Sequence, residues 1–97
     1  MGIKSKVLII DDDVKTVEKL KEMLSDYPDL YVAAHAPSLA EGERLLSEVE
    51  PDLLFLDIEL PDGNGLEFID TVMRVCSNTY IVVFTGYYKD YSERAFS

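Results

Sequence analysis

Cysteine, histidine and positive charge are all scarce in this 97-residue chain. A lone cysteine, Cys76, forms no internal disulfide, which suits a reducing compartment, so a cytoplasmic location is expected. Lys and Arg number 9 against 19 Asp and Glu, leaving a net charge of −10. Nucleic-acid phosphates are met by Lys and Arg, so the balance argues against direct nucleic-acid binding and for cations as ligands. No apolar run approaches the roughly 20 residues needed to span a bilayer, so no membrane partner is expected. The start, Met-Gly-Ile-Lys-Ser-Lys, has no apolar h-region and no small-residue cleavage site, so no signal peptide is read there. Repeats, linkers and low-complexity segments are missing as well. One domain over 1–97 is expected, and a domain this short buries only about 60–65% of its unfolded surface.

What the chain does have is apolar patterning, with 47% hydrophobic residues. Three short continuous runs, Val7-Leu8-Ile9-Ile10, Leu53-Leu54-Phe55-Leu56 and Tyr80-Ile81-Val82-Val83-Phe84, are too short for helices. They read as strands covered on both faces, as in a parallel sheet. Leu30-Tyr31-Val32-Ala33-Ala34 is a weaker strand and belongs at an edge. Helical spacing lies between these runs. Val14, Val17, Leu20 and Leu24 make one stripe; Leu39, Leu46 and Val49 make another. Ser38 with Glu41 three residues on is a capping-box pattern, and Pro51 stops that second helix. Asn64 is placed to cap a third helix containing Leu66, Ile69, Val72 and Met73, and a fourth helix is expected from near Tyr88 onward. The resulting β-α-β-α-β-α-β-α order predicts a doubly wound parallel sheet of α/β class with right-handed crossovers.

Ligands of such sheets bind beyond the carboxyl ends of the strands. Asp11-Asp12-Asp13 follows the first strand, Asp57 the third and Thr85-Gly86 the fourth. In the flavodoxin-like order 2-1-3-4 these strands are neighbours, so the side chains converge. Clustered carboxylates repel and need protonation or a divalent cation. All the candidate ligands are hard oxygens, which favours Mg²⁺ over zinc. Asp12 or Asp13 also suits the N-cap of the first helix, and a lone Asp after one strand would be read only that way. Acids after two strands plus a threonine after another favour a site.

These residues resemble the receiver domains of bacterial response regulators. Val7-Leu8-Ile9-Ile10-Asp11-Asp12-Asp13 is similar to the family's first strand and acidic pair. Leu53-Leu54-Phe55-Leu56-Asp57-Ile58-Glu59-Leu60-Pro61-Asp62-Gly63-Asn64-Gly65-Leu66 is similar to its phosphoacceptor segment, and Val83-Phe84-Thr85-Gly86-Tyr87 to its fourth-strand threonine segment. The resemblance implies that Asp57 accepts a phosphoryl group from a histidine kinase or phosphotransfer protein. It implies that Asp12 and Asp57 hold Mg²⁺ directly, that Asp11 assists through water, and that the backbone carbonyl of Glu59 completes the set. Thr85 would be the switch hydroxyl, Gly86 would leave room for the donor, and the Glu59 and Tyr87 side chains would tune dephosphorylation. The Asp57 segment also resembles receivers attached to LytTR-type DNA-binding domains.

The family's fifth strand, with its Lys, and the fifth helix have no counterpart before Ser97; Lys89 lies only four residues past Thr85. The expectation is therefore a truncated receiver without its output domain, self-associating through the apolar edge of the fourth strand. The rival readings are a receiver-like interaction module that is never phosphorylated, and a haloacid-dehalogenase-type phosphatase. The second fails on its motif: an Asp-x-Asp-x-Thr/Val pattern starting at Asp11 meets Asp13 and then Lys15. No enzyme activity is expected. His35 and Cys76 read as packing or surface residues, and Tyr87, Tyr88 and Tyr91 either as a partner patch or as internal packing.

Overall fold

The computed structural model describes residues 4–84. Strands β1 (Ser5–Ile10), β2 (Leu30–Ala36), β3 (Leu53–Asp57) and β6 (Tyr80–Phe84) alternate with helices α1 (Val14–Leu24), α2 (Leu39–Val49) and α3 (Gly65–Val75). A short hairpin, β4 (Glu59–Leu60) and β5 (Gly63–Asn64), is inserted between β3 and α3. The sheet is parallel with order β2-β1-β3-β6, the expected 2-1-3-4 arrangement with the weak strand at one edge. The expected helix after Tyr88 lies outside the described residues.

Side-chain alternation divides the core in two. Leu8, Ile10, Leu54 and Leu56 point to one face and meet Leu46 of α2 and Phe68 and Val72 of α3. Val7 and Ile9 point to the other and meet Val17 and Leu24 of α1, with Leu53 and Phe55 packed against them. Full burial of both faces of β1 explains its unbroken apolar run.

The helices keep their expected positions but rotate their expected stripes. Val14 is 63% exposed, because it opens α1 at the rim beyond the sheet, and Thr16 is buried instead. Leu66 and Met73 are also about half exposed, at 52% and 49%. The inner face of α3 is Gly65, Phe68, Ile69 and Val72, continuing to Cys76 past its end. Gly42 lets α2 sit close to the sheet; a Cβ there would come within 2.5 Å of Ile10 Cδ1.

The caps follow local chemistry. Ser38 Oγ accepts from the Glu41 amide at 3.2 Å, while the Glu41 carboxylate pairs with Arg44. Asn64 Oδ1 accepts from the Leu66 amide at 2.8 Å. Helix α2 ends at Glu50, in the left-handed region at φ 49°, immediately before Pro51.

The hairpin and a bulge in β2 were not foreseen. Val7 pairs with Val32 but Leu8 pairs with Ala34, so Ala33 is an extra residue in β2. Leu30 and Val32 therefore pack on the α1 face, whereas Ala34 and Ala36 pack on the α2/α3 face. An uninterrupted strand would have kept all four on one side.

Candidate functional site

Three carboxylates meet at the carboxyl rim of the sheet. Asp11 and Asp12 follow β1, and Asp57 ends β3, the strand beside it. Each offers an oxygen within 4.8 Å of the others; Asp11 and Asp57 are buried and Asp12 is exposed. Two buried like charges at this separation repel by on the order of 3 kcal/mol at an effective dielectric of about 20.

Short backbone turns aim these groups. Asp11 Oδ1 accepts from the Asp13 amide at 2.8 Å, and Asp57 Oδ1 accepts from the Glu59 amide at 3.0 Å. Both are Asx-type turns, in which an Asp bonds the backbone two residues on. The Asp11 amide is tied to Ala36 O at 2.9 Å. Ile58, next to Asp57, donates to Phe84 O at 3.0 Å and accepts from the Gly65 amide at 2.9 Å. Gly65 is essential to this closure, since a Cβ there would lie 2.8 Å from Ile58 Cα and against the Asp57 carbonyl oxygen.

Of the expected site residues, then, Asp11, Asp12 and Asp57 come together. Glu59 joins them through its backbone amide, while its side chain is exposed. Asp13 caps α1: its Oδ1 accepts from the Lys15 amide at 3.2 Å and its Oδ2 from the Thr16 hydroxyl at 2.6 Å. Thr85, Gly86 and Tyr87 lie outside the described residues, as do Tyr88, Lys89 and Tyr91. Phe84, the last described residue, pairs with Asp57.

Two further residues bear on the site. Asp62, at the hairpin turn, accepts from the Leu39 and Ala40 amides at 2.9 and 3.0 Å. These bonds, that from Leu39 first, hold its carboxyl below the usual range. His35 Nε2 lies 2.8 Å from Asp11 O. The Asp62 contact spans 22–23 residues and the His35 geometry depends on the β2 bulge, so no local sequence signal marks either.

A doubly wound parallel sheet with an acidic pocket at its carboxyl rim defines a flavodoxin-like α/β protein. The family model of the response regulator receiver domain matches residues 7–97. A protein-glutamate methylesterase/protein-glutamine glutaminase of Thiobacillus denitrificans is 37% identical over 73 residues, 75% of this chain and 20% of that protein. Sensory transduction protein LytT of Enterococcus faecalis is 36% identical over 90 residues, 93% of this chain and 37% of that protein. The REC domain of AraT, a response regulator from Geobacillus stearothermophilus, matches with a TM-score of 0.79 at 28% identity, covering 97% of this chain and 74% of that one. The chain belongs to the receiver domains of two-component response regulators. It spans about a fifth of the methylesterase and just over a third of LytT. No helix among the described residues is long and apolar enough to cross a membrane.

Proposed function

We propose that this receiver is a phosphoacceptor switch in which Asp57 takes a phosphoryl group from a histidine kinase or phosphotransfer protein. The observation that carries this reading is the convergence of the Asp11, Asp12 and Asp57 carboxylates within 4.8 Å. Such a set of hard, negative oxygens fits Mg²⁺, with Asp12 and Asp57 as direct ligands, Asp11 acting through water and the Glu59 carbonyl completing the set. When bound, Mg²⁺ supplies neutralisation of the carboxylates and of the incoming phosphoryl oxygens.

The protein's own part is orientation. The Glu59 amide holds Asp57 Oδ1 and leaves Oδ2 for the attack. That oxygen forms a bond to phosphorus as the donor's bond to phosphorus breaks, giving an acyl phosphate and the free donor group. Thr85 and Gly86 are assigned to the phosphoryl oxygens and the donor, and Glu59 and Tyr87 to the lifetime of the product. In this reading the chain is a switch rather than an enzyme acting on a separate substrate.

The test uses Mg²⁺ with acetyl phosphate, followed by intact mass, and beryllofluoride, followed by amide shifts. A gain of one phosphoryl group and shifts near Asp57 are expected, both abolished in Asp57→Asn. No response in wild type would favour the rival reading of a module that is never phosphorylated, and equal responses in wild type and Asp57→Asn would show that Asp57 is not the acceptor.

We also propose that copies of this chain associate along β6. It is the outer strand among the described residues, and Tyr80, Val82 and Val83 are exposed by 77%, 40% and 38%. Apolar edges of this kind template pairing with another strand. Sedimentation velocity is expected to show concentration-dependent association that Val82→Lys weakens; a stable monomer at high concentration excludes it.

A further inference from the structure

We propose that His35 is a positioning residue for the acidic pocket, fixing the Asp11–Asp12 peptide so that Asp12 is held ready for a cation. This inference rests on the Mg²⁺ reading above and extends it to a residue on a different strand.

The case begins with the bulge at Ala33. Because of that extra residue, His35 pairs with Ile9, whose side chain faces α1. Paired residues of a parallel ladder share a face, so His35 lies on the α1 side too. Without the bulge its side chain would point to the α2/α3 side. From its actual position Nε2 reaches Asp11 O at 2.8 Å. A carbonyl oxygen only accepts, so Nε2 carries the proton and donates.

This bond completes a three-point clamp. The Asp11 amide donates to Ala36 O at 2.9 Å, its carboxylate accepts from the Asp13 amide at 2.8 Å, and its carbonyl accepts from His35. The carbonyl belongs to the peptide plane that joins Asp11 to Asp12. Holding that plane restricts the backbone angle from which the Asp12 side chain departs. Asp12 is exposed, unlike Asp11 and Asp57, so burial does little to hold it and backbone fixation matters most there. Groups that orient metal ligands typically contribute about 10–100-fold to affinity. A single peptide restraint belongs at the low end.

The experiment compares Mg²⁺ affinity, by calorimetric titration at one fixed pH, with metal-free stability, by urea unfolding. The proteins are wild type, His35→Ala, His35→Phe and His35→Gln. His35→Phe keeps the ring but loses the donor; His35→Gln keeps an amide N–H at similar reach. The expected result is Mg²⁺ binding about tenfold weaker in His35→Ala and His35→Phe, and near wild type in His35→Gln. Urea midpoints of His35→Phe and His35→Gln should stay close together. If His35→Phe binds Mg²⁺ as tightly as wild type, or His35→Gln as weakly as His35→Phe, the positioning role is wrong while the metal site stands. If wild type binds no Mg²⁺, the metal reading fails and this inference falls with it.

Discussion

Asp57 and Gly65 form one unit although eight positions separate them in sequence. The carboxylate ends β3, and the first residue of α3 packs directly on the backbone that follows it. A side chain at 65 must displace that backbone, because the obstructing atoms are Ile58 Cα and the Asp57 carbonyl rather than the tip of a flexible side chain. Gly65→Ala is therefore expected to cost about 1–3 kcal/mol by urea unfolding, the usual range for overpacking. It should also slow acetyl phosphate labelling of Asp57, because the loop that aims the carboxylate moves. Unchanged stability and labelling would show that the loop absorbs the methyl group. Asp57 itself was legible in the sequence, since it follows an apolar strand and precedes Pro61 and Asn64-Gly65. The packing reason for Gly65 was not, because it lies in the contact between two elements.

The β4–β5 hairpin, which no local sequence pattern marks, ties the end of β3 to α2. Its turn residue Asp62 caps α2, so the segment after the proposed acceptor is fastened to a helix from an earlier part of the chain. A helix N-terminus favours a carboxylate through its free amides and its dipole. The Asp62 carboxyl is correspondingly held below its ordinary value of 3.8. A depressed folded value means stability that is complete above the unfolded value and lost as the pH falls through the folded one. The contribution should thus be intact at neutral pH, decline as the pH drops through about 4 and vanish below the folded value. A carboxyl titration by NMR should give Asp62 a value under 3.8, with the Leu39 and Ala40 amides shifting on the same curve. Asp62→Ala should remove that inflection and lower the urea midpoint; an ordinary Asp62 titration would show that the tether is absent in solution. Helix stripes show a milder limit of sequence reading. Periodicity located the three helices of the described residues, but Val14, Leu66 and Met73 turned outward because the approach of each helix to the sheet decides which part of its surface is covered.

For the whole molecule, charge is the main liability. A net charge of −10 on 97 residues, with three carboxylates converging at one rim, opposes the folded state. If the folded pocket takes Mg²⁺ as proposed, the cation stabilises it by RT ln(1 + [Mg²⁺]/Kd), about 2.7 kcal/mol at a hundred times Kd. In a domain this size that raises Tm by roughly 10–20 °C. Asp57→Asn should raise the metal-free Tm by relieving repulsion and should abolish most of the Mg²⁺ increment. A Tm that responds equally to Mg²⁺ in wild type and Asp57→Asn would mean that the cation acts elsewhere. By itself the sequence determined the α/β class, the order of strands and helices along the chain and the acids that follow the first and third strands, because apolar runs, helical periodicity and turn chemistry are local properties that write themselves into composition and spacing. Only the tertiary structure decided that Ala33 is a bulge, that His35 reaches the Asp11 carbonyl, that Asp62 caps α2 and that Gly65 must lack a side chain. Each of these depends on register or close approach between elements far apart in the chain, where the energy lies in contacts that no local pattern encodes.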